Sequence, residues 1–228
     1  MKLYVHLLCL GILLSAASFV QGQSKPFKLS KKEKKEGFKV LFDGTSMDQW
    51  KGNLEEYVLE DGTITMRPGK YKGSGNLYTK ETFSNFVLRF EFWLSPAGNN
   101  GLGIRHDYVA DASGYRGMEL QILDNEHPDY KDLEPGQYHG SVYKIIPAKR
   151  GFLKPAGEWN YQEVIANGSH IQVFLNGEKI LDGDLIEATS KLKPGSFQNA
   201  VLNKSGHIAF LGHNSLVRFR NIRIKELK

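Results

Sequence analysis

Cysteine is almost missing from this 228-residue chain: the one present, Cys9, lies among the first ten residues. No disulfide framework or thiol chemistry can serve the body of the protein, whose stability must come from an ordinary core. Long apolar runs are missing too. The longest follows Lys2 and ends at Leu14, too short to span a bilayer. A surplus of one charge also disappears once it is located. The formal +5 is carried entirely by residues 1–36, with seven lysines against two glutamates, and the remainder is neutral. That excludes the electrostatic footprint of a nucleic-acid binder. There are no heptads, no long helical period and no repeat of fixed length, which excludes coiled coils and solenoids. A Gly-x-Ser-x-Gly elbow, a phosphate loop and a dinucleotide fingerprint are absent as well.

What is present begins with a leader. Small residues Ser15 to Ser18 follow the short apolar run, and Val20 and Gly22 precede Gln23, the form of a secretory signal over residues 1–22. The expectation is an exported protein, periplasmic or extracellular, with no transmembrane segment. Residues 23–36 read as a Lys-rich linker, a solvated tether. Residues 37–228 read as one domain, large enough to bury a core.

That domain is punctuated by hairpin signals. Asp61-Gly62 divides Tyr57–Met66, and Asn176-Gly177 follows Ile171, Val173 and Leu175. Between Phe83 and Leu94, Phe86, Leu88, Phe90, Phe92 and Leu94 alternate with Val87, Arg89, Glu91 and Trp93, the pattern of a half-buried strand. A Gly-rich loop runs from Pro68 to Gly75 and a polar loop from Asp107 to Tyr115. Ile208, Phe210, Phe219, Ile222 and Ile224 are core candidates near the end. Many short strands with Gly/Asn/Asp turns predict an all-β fold, an antiparallel β-sandwich.

The stretch Gly117–Asp124 organises the functional reading. Met118, Leu120 and Ile122 fall on one face of a strand, Glu119 and Gln121 on the other. A one-residue bulge between Gln121 and Asp124 would return Asp124 to the polar face. Arg105 and Arg89, from neighbouring strands, could converge there with Glu119, and a guanidinium would hold the carboxylate ionised. For Arg89, a cross-strand ion pair with Glu91 is an equal alternative. The longest irregular region, residues 125–157, carries His139, Tyr143 and other polar groups, and a loop of that size is a candidate for function. Trp159 beside Asn160 suits sugar stacking. Histidines 127, 139, 207 and 213 lack metal-ligand spacing, so no metal ligands are assigned. His213, at a strand end between Gly212 and Asn214, could serve as a general acid or base.

Taken together, Val40-Leu41-Phe42-Asp43-Gly44, Asn100-Gly101 to Arg105, Gly117 to Asp124, Gly157-Glu158-Trp159-Asn160, Leu175-Asn176-Gly177, and Gly206-His207-Ile208 running into Phe219-Arg220-Asn221-Ile222 resemble the 3-keto-disaccharide hydrolase domain family. The match spans about Gly37 to Leu227, in order. The resemblance implies a concanavalin-like jelly roll that binds a small saccharide. It further implies attack on sugars already oxidised at carbon 3, by removal of the carbon-2 hydrogen and loss of the carbon-1 substituent, with elimination or net hydrolysis as the outcome. Under it, Glu119 or His213 is the base, Arg105 the enolate partner, and Asp124 or Tyr143 the acid. Gln121, Arg89, His139, Trp159 and Asn160 would bind substrate. A divalent cation could replace Arg105; no other cofactor is indicated, and oligomeric state is left open. Where the family often carries Gln-Asp-His-Gly, this chain has Leu211-Gly212-His213-Asn214.

Two rival readings accompany this one. Glu119, Gln121 and Asp124 share the spacing of the Glu-x-Asp-x-x-Glu strand of laminarinase-like glucanases, which suggests a retaining glycosidase. A non-catalytic carbohydrate-binding module is the other.

Overall fold

A computed structural model describes residues 25–69, 75–109, 116–193 and 199–228. The expected signal over residues 1–22, residues 70–74 of the Gly-rich loop and residues 110–115 of the polar loop lie outside the described residues. In chain order the elements are α1 (Lys31–Glu36), β1 (Lys39–Phe42), β2 (Trp50–Gly52), β3 (Tyr57–Glu60), β4 (Thr63–Met66), β5 (Asn76–Thr79), β6 (Phe86–Leu94), β7 (Asn99–His106), β8 (Met118–Leu123), β9 (Trp159–Asn167), β10 (His170–Leu175), β11 (Glu178–Asp184), α2 (Leu185–Ser190), β12 (His207–Gly212) and β13 (Val217–Glu226).

The strands form two antiparallel sheets, making the fold an all-β jelly-roll sandwich. One sheet has the order β11-β10-β9-β6-β13-β4-β3, with β1 also paired to β13; the other has the order β2-β5-β12-β7-β8. The alternation read in β6 is what locks them together. Phe86, Leu88, Phe90, Phe92 and Leu94 are all buried, and Phe90 meets Phe210 of β12 at 6.0 Å. Phe210 in turn stacks on Phe219 of β13 at 3.7 Å and on Trp50 of β2 at 5.5 Å. Each such side chain contributes about 1.5–3 kcal/mol by leaving water.

Two hairpins close as their sequences demand. Asp61-Gly62 (φ 49° and 72°) joins β3 to β4, and Asn176-Gly177 (φ 52° and 96°) joins β10 to β11. Left-handed residues at both turn positions match the twist of the flanking strands.

Two expectations need correction. The Lys-rich stretch is not simply a solvated tether, because residues 31–36 form a capped helix. Ser30 Oγ accepts from Glu33 N, and the Glu33 carboxylate accepts from Ser30 N. Glu33 then pairs with Arg223 at 2.8 Å, and Arg89 lies beside it at 3.5 Å, pinning the helix to the outer face of the larger sheet. The bulge expected in β8 is also missing. β8 pairs with β7 without a register shift, from Ile104↔Met118 to Asn99↔Leu123.

The long region 125–157 is partly tied down. Gly140 N donates to Gln121 O, Gln121 N to Ser141 O, and Tyr143 N to Glu119 O. These bonds close the otherwise open edge of β8, which would be a liability if left bare.

Candidate active site

Register across the smaller sheet sets out the site row by row. Lys51, Tyr78, Ala209, Gly103 and Glu119 lie side by side on successive strands β2, β5, β12, β7 and β8. Asn76, Leu211, Gly101 and Gln121 form a second row on the same face. Between them runs a core row of Leu77, Phe210, Leu102 and Leu120, pointing to the other sheet. The face turned away from the core thus has small residues at its centre and polar or aromatic groups on either flank.

The small residues are required there. A Cβ at Gly101 would fall 2.1 Å from Oε1 of Glu119, and one at Gly103 would fall 3.0 Å from the His106 ring. Glu119 lies over the bare backbone of Gly101, an arrangement available only beside glycine.

Glu119 is the feature that structure alone does not account for. Its side chain is 2% exposed, and neither carboxylate oxygen has a hydrogen-bond partner. Burying an unpaired carboxylate costs several kcal/mol, so such a group points to a role outside folding. Facing it is the His213 imidazole, whose Nε2 stands 3.6 Å from Oε1, just beyond hydrogen-bond length. The His213 side chain is 36% exposed. A solvent-reachable imidazole therefore covers a buried carboxylate, a pair that can pass protons between a ligand and bulk water.

Around the pair, Gln121 is buried and its Oε1 lacks a partner, while Nε2 reaches Asn99 Oδ1 at 3.4 Å. The backbone ladder places Tyr143 beside Glu119, and the Tyr143 hydroxyl accepts from Gln137 Nε2 at 3.2 Å. The opposite flank went unrecognised in the sequence. Tyr78 packs against His106, Tyr108 and His207 at 5.9, 5.2 and 6.2 Å, and Lys51 Nζ sits 4.4 Å over the Tyr108 ring. His106 is held neutral: burial lowers its pKa against the pull of the Asp107 carbonyl and Glu119, and Nε2 accepts Arg116 N. A signal was available for Tyr78, which alternates with the apolar Leu77, but not for His106, which shares the parity of the core residue Ile104 and reaches this face only because the strand is irregular at Arg105.

Of the residues expected at the site, the strand geometry gathers Glu119, Gln121, His213 and Tyr143. Six others go elsewhere. Arg105 takes φ 52° and leaves the Glu119 face, its guanidinium bonding Ser84 O, Gly168 O, Asn203 O and Asn85 Oδ1. Burial lowers its pKa, and among the described residues no carboxylate is in contact to offset that. Asp124 Oδ2 accepts Ala97 N and anchors the turn between β6 and β7. Arg89 pairs with Glu163, and Trp159 lies under Arg220 at 3.9 Å, both in the larger sheet. Asn160, on the neighbouring position of β9, accepts Lys154 N and Asn176 Nδ2. His139 is a core residue: it stacks on Phe92 at 5.0 Å, and burial pushes its pKa down to about 3.

These placements bear on the retaining-glycosidase reading. With β8 unbulged and Asp124 committed to Ala97, Glu119 has among the described residues no second strand carboxylate facing it, as a retaining glycosidase needs. Glu119 and His213 are donors of the type a divalent cation takes. Among the described residues, however, no group of three His, Cys, Asp or Glu side chains gathers into a metal site. Also among the described residues, no helix is long and apolar enough to cross a membrane.

Comparison with known proteins agrees with this architecture. Residues 37–225 match the model of the 3-keto-alpha-glucoside-1,2-lyase-like domain. A curated 3-keto-disaccharide hydrolase of Bacteroides thetaiotaomicron is 31% identical, over 84% of this chain and 79% of its own. A solved structure from Parabacteroides distasonis, provisionally named a glycosyl hydrolase, superposes with a TM-score of 0.78 at 25% identity, covering 90% of this chain and 100% of its own. A Bacillus subtilis protein of galectin-like fold shares the fold alone, at 14% identity and a TM-score of 0.56 over 83% of this chain and 94% of its own.

Proposed function

The chain belongs to the family of 3-keto-alpha-glucoside-1,2-lyase-like domains, and from that premise we propose that it is a carbohydrate-active enzyme cleaving 3-keto-glycosides at the Glu119–His213 pair. The observation that carries the reading is the buried Glu119 carboxylate, unbonded at both oxygens, with an exposed histidine 3.6 Å away.

A ketone at carbon 3 acidifies the hydrogen on carbon 2. Glu119 takes that proton, and the electron pair of the C2–H bond moves into the enolate oxygen at carbon 3. Collapse of the enolate expels the carbon-1 substituent, and the C1–O bond breaks. His213, in its protonated form, gives the leaving oxygen its proton and recovers one from solvent. Addition of water across the resulting enone, hydroxyl at carbon 1 and proton at carbon 2, completes a net hydrolysis. Gln121, buried beside Glu119, is positioned to donate to a substrate oxygen. The exposed Tyr108 ring, on the far flank of the same face and backed by the buried Tyr78, suits packing against a sugar ring. The reading keeps residues 1–22 as an export signal, which puts the reaction outside the cytoplasm.

Incubating the protein with a 3-keto-glucoside and with its unoxidised parent tests the proposal. Cleavage confined to the keto sugar is expected. Equal cleavage of the parent would favour a direct glycosidase, and binding of saccharide without turnover would favour a binding module.

A further inference from the structure

Arg105 raises a separate question, because among the described residues its buried positive charge has no counter-ion. The residue is 5% exposed, and four of its five N–H groups go to neutral acceptors on Ser84, Asn85, Gly168 and Asn203. Asp184, which caps the helix that begins at Leu185, has its carboxylate turned to Oγ of the cleft residue Ser169 and to Glu187 N. Buried guanidinium groups are ordinarily paired with an acid.

Arg105 also lines a cleft of about 580 Å³, together with Ser84, Asn85, Leu185, Ile186, Leu202 and Lys204. That volume falls in the range of small-molecule sites. Its walls are apolar, and Ile186 and Leu202 are 62% and 41% exposed, two of the few large apolar side chains left in water. Lys204 makes no ion pair among the described residues. Among the described residues, the cleft thus combines an apolar lining with two positive charges and no acidic side chain.

We propose that this cleft is a second ligand site, distinct from the Glu119 face, for an amphipathic monoanion: an apolar or aromatic body against Leu185, Ile186 and Leu202, and a carboxylate on Arg105 and Lys204. One carboxylate oxygen takes the remaining Arg105 N–H, and the other faces the Lys204 ammonium. The charge-assisted bond supplies selectivity for the acid over a neutral analogue.

The test is calorimetric titration of the whole protein with 4-phenylbutyrate and, separately, with 4-phenylbutanol. Saturable one-to-one binding of the acid is expected, with the alcohol weaker by about tenfold or more. Ile186→Asp and Lys204→Glu, both at exposed positions, should each weaken the acid about tenfold, while circular dichroism confirms the fold. Glu119→Gln should bind the acid as the parent protein does. Equal affinity for acid and alcohol, binding that survives Ile186→Asp, no saturable binding, or loss of binding in Glu119→Gln would each overturn the proposal. None of these outcomes depends on whether the Glu119 face cleaves keto sugars.

Discussion

Gly101 and Glu119 compete for one volume: a methyl group on the glycine would lie 2.1 Å from the carboxylate oxygen that faces His213. The obstacle is the far end of a flexible side chain, not backbone. Gly101→Ala should therefore swing Glu119 aside while leaving the fold nearly as stable. A displacement of about 1 Å in a reacting group costs roughly 100-fold in rate. Turnover of a 3-keto-glucoside should fall by about that factor, with a melting temperature within a few degrees of the parent, as turnover assays and thermal denaturation would show.

Glu119→Gln should separate function from stability in the opposite sense. The amide removes a buried charge that nothing in the structure bonds, so the variant should be as stable as the parent or more so, by about 1–2 kcal/mol. Denaturant unfolding measures this. A loss of stability would mean that the carboxylate has a structural partner.

Arg105→Met should be costly. It strips the carbonyl oxygens of Ser84 and Gly168 of donors at 2.7 Å each. Ser84 and Gly168 are themselves exposed, so water takes over part of those bonds, and a loss of roughly 1–2 kcal/mol is expected in chemical denaturation. An unchanged unfolding midpoint would contradict the assignment of Arg105 to the sandwich edge.

Two groups should give acid unfolding two distinguishable phases. His139 is buried, and burial lowers its pKa from 6.5 to about 3. The unfolded chain takes up its proton first, so stability is full above pH 6.5 and declines toward pH 3, at about 1.4 kcal/mol per pH unit where the states differ fully. For Glu33, burial raises the pKa, but the Ser30 hydrogen bonds and Arg223 outweigh it and bring it from 4.5 to about 2. Its contribution is present above pH 4.5 and is lost as pH falls through 2, on the order of 1–2 kcal/mol after screening near the surface. His139→Phe should flatten the first window and Glu33→Gln the second, in urea denaturation measured against pH.

Much of the fold is legible because its rules are local. The alternation of Phe86 to Leu94, and the Asp61-Gly62 and Asn176-Gly177 turns, need only a few residues of context, and the structure follows them. The polar side of β8 is legible for the same reason, since Glu119 and Gln121 share one face. Arg105 is not, because the period of two fails there. Its φ of 52° and the register shift between His207 and Ala209 turn the side chain out of the face that Gly101 and Gly103 occupy. Trp159 and Arg89 illustrate a second limit. Alternation tells which side of a strand a residue is on, but not which of two sheets holds the strand. Both sit in the larger sheet, remote in register from Glu119. For His139, a loop position gave no sign that the ring would stack on Phe92 in the core.

The most direct measurement follows hydrogen at carbon 2. In heavy water, turnover of a 3-keto-glucoside should leave deuterium at carbon 2 of the released sugar, at a rate far above that without enzyme or with Glu119→Gln. Released sugar that keeps its original hydrogen at carbon 2 would mean that the glycosidic bond breaks without proton abstraction, and the role given to Glu119 would be wrong.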